Sequence, residues 1–159
     1  MKLAFEVPDD KVVELVMERL KAATAPAVSS NIAFPAIGTH WHGHGGIFAG
    51  IIRGRDGGKD CALILGPQLP ESNWKDAQKK AAAVSVDGHD DFRLPFRKEQ
   101  ALLFANVADQ FQERWYWSCE RHADFDGYAW MQYFEDGNQG YDDVDDEFLA
   151  CAVRVIPLQ

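Results

Sequence analysis

Three histidines, His40, His42 and His44, alternate with other residues in the glycine-rich segment 38–46. In an extended chain their imidazoles would lie on one face, and three imidazoles can bind zinc or nickel. The segment offers no carboxylate to orient the imidazoles, and its glycines favour a loop. A surface loop that picks up metal adventitiously is therefore the preferred interpretation, and a metal-dependent enzyme is the less favoured alternative.

Two further pairs of side chains have the types needed for catalysis. Cys119 and His122 resemble a nucleophile and its base, but they lie three residues apart in a predicted loop without an oxyanion-hole signature. Glu135 and Asp136 could exchange protons, yet adjacent strand residues point to opposite faces. A turn before Gly137–Asn138 explains Asp136 better. We therefore expect no enzymatic activity, no cofactor and no resident metal.

The twelve residues from Asp136 to Glu147 begin with Asp and end with Glu, as a calcium loop of the EF-hand type does. Tyr141 stands where such a loop needs glycine for its sharp turn, and the flanking segments read as strands. Residues 142–147, here called the acidic run, are interpreted as a solvated loop of mutually repelling carboxylates. Opportunistic calcium binding is the alternative.

Acidic and aromatic residues are interleaved between Glu120 and Glu147, where ten acids accompany one base, Arg121. Exposed aromatic side chains beside charges are typical anchors of protein interfaces. We predict that the segments 119–127 and 135–147 together form an acidic binding face. The expected binding residues are Trp130, Gln132, Glu135, Asp136, Asn138, Gln139, Tyr141, Asp142, Asp143 and Asp145.

Hydrophobic periodicity predicts the elements that must position these residues. Apolar residues at helical spacing predict a helix from 96 to 111, and an alanine-rich segment predicts another from 73 to 84. Aromatic or alternating segments predict strands at 47–53, 61–65, 115–117, 128–134 and 148–156. The fold class is therefore α+β, with two helices packed on a mixed or antiparallel sheet.

A family resemblance appears in several motifs that occur in order: RLP at 93–95, ALLFANVADQF at 101–111, WYWS at 115–118, YAWMQYFEDGNQ at 128–139 and AVR at 152–154. This pattern resembles the Lcl C-terminal-domain family, which is largely of unknown function and frequent in phage and prophage genomes. The resemblance covers residues 37–156. It implies a C-type lectin-like fold with paired terminal strands, and a scaffold for binding.

The sequence departs from this family at two places. Phe96 stands where relatives carry Thr or Ser, so the capping box with Glu99 is expected to be lost, at a cost of about 1 kcal/mol. The acidic run replaces basic or neutral polar residues. We expect the protein's own specificity to lie in that run.

Length and composition set the remaining bounds. Residues 1–30 predict a separate strand–helix segment, followed by a linker and by the lectin-like domain at 37–159. The net charge of −9 argues against direct nucleic-acid binding. Three unpaired cysteines, the lack of a signal peptide and the lack of a long apolar run predict a cytoplasmic or virion protein that does not span a membrane.

Together these patterns predict a non-enzymatic binding protein, derived from a phage or prophage, whose acidic and aromatic loops bind a basic protein surface. Inhibition of a host factor in the bacterial cytoplasm is the specific version. The alternative is a virion tail or fibre component that binds a surface glycan or receptor. The oligomeric state is not predicted.

Overall fold

The computed structural model describes residues 33–159. The predicted strand–helix segment at 1–30 lies outside the described residues, and its status as a separate unit stays a prediction.

A seven-stranded sheet forms the framework of the described chain, with strand order β1-β2-β3-β7-β4-β5-β6. Neighbouring strands are antiparallel except β7 and β4, which are parallel. The predicted α+β class is confirmed. The elements are β1 His40–Trp41, β2 Gly46–Ile52, β3 Cys61–Ser72, α1 Trp74–Ala82, α2 Arg97–Val107, a 3-10 turn Ala108–Gln110, β4 Trp115–Arg121, β5 Tyr128–Tyr133, β6 Gln139–Asp143 and β7 Phe148–Pro157.

The two helices pack on opposite faces of the sheet. Successive residues of β7 point to opposite sides, and each side of the strand contacts one of the helices. Leu149 and Val153 are buried in one cluster with Leu103 of α2. Ala150 and Ala152 are buried in a second cluster with residues of α1. The central strands are thus covered on both faces.

Strand β7 lies in the middle of the sheet, between β3 and β4. Among the described strands, the first one, β1, pairs with β2 at the sheet edge. The expectation that the two terminal strands of the domain pair is therefore wrong for these strands. Strand β1 has two residues and is too short to pair along the ten residues of β7. Strand β3 has twelve residues and pairs with β7 instead.

Strand β6 is not predicted by the sequence. Asp143 pairs with Tyr128 and Asp142 pairs with Ala129 of β5. The interpretation of the whole acidic run as a loop is therefore wrong for its first two residues. Acidic residues have low strand propensity, but backbone pairing with β5 overrides it, and charged side chains on an edge strand discourage further pairing.

The start of α2 is capped in a way that the sequence predicts only in part. The side chain of Phe96 has no acceptor and makes no cap hydrogen bond. Glu99 still accepts the Phe96 N–H at 2.7 Å, so half of the capping box remains. Glu120 of β4 accepts the Arg97 N–H at 2.6 Å. A carboxylate from a neighbouring strand thus replaces the missing cap, and the predicted loss of about 1 kcal/mol is offset.

None of the helices within residues 33–159 is long and apolar enough to cross a membrane.

Candidate functional site

Five aromatic rings meet at one end of the β5–β6 hairpin: His122, Phe125, Tyr128, Trp130 and Tyr141. We call this group the aromatic patch. The His122 ring stacks on Trp130 with centroids 4.9 Å apart and lies 4.4 Å from the Tyr141 ring. Trp130 lies directly opposite Tyr141 in the strand register. Phe125, Tyr128 and Tyr141 are 50%, 38% and 44% exposed, so the patch presents apolar surface to solvent.

The segment 122–127 holds the patch in place. The His122 N–H donates to the Tyr128 carbonyl oxygen at 2.9 Å. The Nδ1 atom of His122 accepts from the N–H groups of Asp124 and Phe125 at 3.1 and 3.2 Å. The imidazole is therefore fixed by its own loop, which limits the conformational entropy that binding would cost.

The acidic run lies at the same end of the sheet as the patch. The Val144 N–H donates to the Gly127 carbonyl oxygen at 2.9 Å, which ties the run to the segment 122–127. A hydrogen bond to Asp142, some desolvation and the neighbouring carboxylates raise the pKa of Asp146. The carboxylates of the run are thus close enough to repel one another. Such a concentration of negative charge favours a basic partner.

The structure divides the predicted binding residues into three groups. At the patch lie Trp130, Tyr141, Asp142, Asp143 and Asp145. In the turn at the opposite end of the hairpin, about 13 Å away by the strand rise, lie Glu135, Asp136 and Asn138. Beneath the start of α2 lie Gln132 and Gln139. The segments 119–127 and 135–147 therefore do not meet along their whole length, and the turn 134–138 is separate from the patch.

Asp136 has the structural role that the turn interpretation predicts. Its Oδ1 atom accepts the Asn138 N–H at 2.9 Å, and its Oδ2 atom accepts from Asn138 Nδ2 at 2.8 Å. The Tyr133 N–H donates to the Asn138 carbonyl oxygen at 2.8 Å and closes the hairpin. Both oxygens of Asp136 are thus engaged in the turn.

A cleft of about 840 Å³ opens beside the start of α2. Two amide side chains lie at its base: Gln132 is fully buried, and Gln139 is partly buried. The guanidinium of Arg97 lies over the Trp130 ring, 3.5 Å from its centroid, and thereby connects the cleft to the patch. The cleft is lined by Arg55, Phe96, Arg97, Lys98, Ala101, Glu120, Gln132, Gly137 and Gln139.

His122 and Phe125 lie in the predicted binding segment 119–127 but are not named among the expected binding residues, and Arg97 and Tyr128 are missed. The segment HADFDGY, at 122–128, contains two aromatic residues and a histidine, and this content was a usable signal for a binding segment. Arg97 carries no such signal, because its importance comes from the tertiary contact with Trp130.

Cys119 lies in β4, not in a loop, and is half buried. Burial raises the pKa of its thiol to about 11. At pH 7 only about one such thiol in ten thousand is a thiolate, the form that acts as a nucleophile. The ring of His122 is meanwhile held in the aromatic patch, which supports the non-catalytic interpretation of this pair.

We expect the three cysteines to differ sharply in reactivity. Iodoacetamide at pH 8 should modify Cys61, which is partly exposed, well before Cys119 or the buried Cys151, whose thiol pKa burial also raises. Peptide mass spectrometry over a time course measures the order. Alkylation of Cys119 as fast as Cys61 would contradict the raised pKa and reopen a nucleophilic role.

The three histidines of segment 38–46 do not converge on one point. His40 lies in β1, while the ring of His44 packs against Trp41 and stacks near His89, with centroids 4.3 and 6.3 Å apart respectively. Burial, Arg154 and His89 lower the pKa of His44, and only Asp87 opposes them. Across residues 33–159, no three His, Cys, Asp or Glu side chains are grouped closely enough to hold a metal ion.

Comparison with known proteins adds no relative. No protein-family model matches the chain, and a search of the curated proteins finds no match.

Proposed function

We propose that this protein is a non-enzymatic binding protein whose aromatic patch and acidic run bind a basic surface of a protein partner. The carrying observation is the exposure of Phe125, Tyr128 and Tyr141 in mutual contact beside the acidic run. Contiguous exposed apolar surface rimmed by charge is typical of interaction sites. Its aromatic composition is typical of interface hot spots.

Two further parts of the proposal come from the sequence resemblance. The chain is assigned a C-type lectin-like fold and a phage or prophage origin on the ordered motifs between RLP and AVR. The α+β sheet with two helices supports only the α+β part of this fold proposal, because the terminal-strand pairing that the resemblance implies is not seen among the described strands. Inhibition of a host factor in the bacterial cytoplasm is the role that would follow for a partner-binding protein of this origin.

The test is an affinity pull-down from a bacterial lysate with the purified full chain, read by mass spectrometry. We expect one partner in near-equal amount with the wild-type chain. The Tyr141→Ala variant should lower the affinity for that partner at least tenfold, because a central aromatic anchor is lost. The Ile51→Ala variant, which removes an exposed apolar side chain outside the patch, should leave the affinity unchanged.

A second variant separates the acidic run from the patch. Neutralising Asp142, Asp143, Asp145 and Asp146 together as Asn preserves side-chain oxygens for the turn hydrogen bonds at Asp142 and Asp143. This change should slow association and flatten its dependence on salt. A partner whose affinity is unaffected by either variant would refute the proposed surface.

The exposure of Phe125 and Tyr141, at 50% and 44%, favours one alternative, a virion tail or fibre component that stacks aromatic rings on a surface glycan. An empty pull-down together with glycan-array binding that is lost in Tyr141→Ala would support this alternative. Sedimentation of the full chain as a stable oligomer, lost on deletion of residues 1–30, would add an assembly role.

A further inference from the structure

The cleft beside α2 has a charge opposite to that of the protein as a whole. Three cations line it, Arg55, Arg97 and Lys98, whereas Glu120 is its one carboxylate. The whole chain carries a net charge of −9. Within residues 33–159, none of these three cations forms a salt bridge. The cleft therefore carries an excess of positive charge, and no salt bridge within residues 33–159 neutralises it.

Arg97 is held from several sides. Its N–H donates to Glu120 at 2.6 Å, and its carbonyl oxygen accepts from Gln139 Nε2 at 2.9 Å. Its Nε donates to Gln139 Oε1 at 3.0 Å, and its guanidinium lies over Trp130. These contacts fix both the backbone and the plane of the side chain, so little rotamer entropy is left to lose on binding.

The amides that hold Arg97 are themselves anchored in the interior. Gln139 Nε2 donates to Gln132 Oε1 at 2.9 Å. The fully buried Gln132 donates through Nε2 to the Gln100 carbonyl oxygen at 2.7 Å. Both amides are thereby engaged with other groups of the protein, and their role in the cleft is to position Arg97.

The ligand-binding groups left in the cleft are cationic. In the described part of the chain, the two Nη atoms of Arg97 have no hydrogen-bond partner, while its Nε is engaged by Gln139. Two Nη groups in one plane match the oxygens of a carboxylate or phosphate. The Arg97 N–H, the first of α2, is already taken by Glu120, so the proposed site rests on the Nη atoms of Arg97.

We propose that this cleft binds a small organic anion through one carboxylate or phosphate group held by the Nη atoms of Arg97, with Lys98 and Arg55 adding positive charge. The cleft volume of about 840 Å³ lies within the usual range for small-molecule sites. Phe96, Ala101 and Gly137 supply a less polar wall for the rest of the ligand. The residues that line this site differ from those of the proposed protein-binding patch, and the inference does not rest on the proposed function.

The experiment is a titration of the ¹⁵N-labelled full chain, at low ionic strength, with inorganic phosphate and separately with acetate. Saturable shifts of the Arg97 Nε–H and Trp130 indole signals are expected with at least one of the two probes. The tighter probe identifies the preferred group. Absence of saturable shifts with both probes would overturn the proposal.

Matched arginine variants test the residue. Arg97→Lys keeps the positive charge but loses the planar pair of donors, and should weaken anion binding about tenfold. Arg121→Lys is the control, because Arg121 also lies over a tryptophan, Trp74, but outside this cleft. Equal affinities of the wild-type chain and Arg97→Lys would refute the site. Thermal unfolding confirms that both variants are folded.

Gln139→Leu tests the positioning role. In the free protein, Gln139→Leu should shift the Arg97 Nε–H signal, because that group loses its hydrogen-bond acceptor. A destabilising change elsewhere in the protein would leave this signal in place. Gln139→Leu should also weaken anion binding about tenfold. Phe125→Ala, a change in the aromatic patch, should leave anion binding unaltered. An unshifted Nε–H signal and unchanged affinity in Gln139→Leu would remove Gln139 from the site.

Discussion

Replacement of Trp117 by alanine is expected to lower the free energy of unfolding by about 4 kcal/mol. The Trp117 side chain is 0% exposed and packs edge-on against Phe148, with ring centroids 5.1 Å apart. Its indole N–H donates to the Ser72 carbonyl oxygen at 3.0 Å. The substitution therefore leaves both a large cavity and a buried acceptor without its donor. Urea unfolding followed by far-ultraviolet circular dichroism measures the change.

A second indole makes this prediction more specific. Trp74 donates to the Ser118 carbonyl oxygen at 2.8 Å, so two indoles tie the end of β3 and the start of α1 to β4 in both directions. Trp117→Phe keeps most of the ring volume but loses the donor, and it should cost clearly less than Trp117→Ala. A cost below about 1 kcal/mol for Trp117→Ala would show that the site collapses around the cavity.

The elements with strong periodicity are the ones that the sequence predicts well. Leu103 and Val107 are 0% exposed, as the apolar stripe of the predicted helix requires. Beyond Val107 the helical spacing of Ala108 and Phe111 continues, but the chain turns into a 3-10 segment there. Phe111 stacks on Phe134 with centroids 3.9 Å apart. Tertiary packing therefore ends the helix before its local pattern does.

The sequence predicts residue types of the candidate site but not how they come together. Trp130 and Tyr141 are both predicted as binding residues, but their pairing across β5 and β6 is not, because the acidic residues of β6 have low strand propensity. The engagement of Gln139 with Arg97 joins residues 42 positions apart. Local sequence patterns carry no information about such a contact.

Trp130 connects the two proposed sites. It contacts His122 of the aromatic patch and Arg97 of the cleft. The acidic run and the cationic cleft thus flank one aromatic centre with opposite charges. Because Trp130 contacts both Arg97 and His122, an anion bound to Arg97 changes the electrostatic surroundings of both rings, so the two sites can be energetically coupled.

The start of α2, on which the cleft depends, is fixed by an ion pair whose carboxylate is buried and whose guanidinium is 34% exposed, and its removal is the second large effect we expect. Arg93 donates to both oxygens of Glu99, at 2.7 and 3.0 Å, and Glu99 is 2% exposed. Arg93→Ala would leave a buried carboxylate without its cation. The expected loss in free energy of unfolding is about 3 kcal/mol, measured by urea unfolding.

Two comparisons decide whether burial is the cause of that loss. Arg114 and Glu71 form an exposed pair, with side chains 51% and 39% exposed, and Arg114→Ala should cost less than about 1 kcal/mol. The double variant Arg93→Met with Glu99→Leu removes both charges and should recover most of the loss, except the Phe96 N–H contact worth about 1 kcal/mol. If Arg93→Ala costs no more than Arg114→Ala, the ion pair does not fix the start of α2. The preorganisation of Arg97 would then rest on its contacts with Glu120, Gln139 and Trp130.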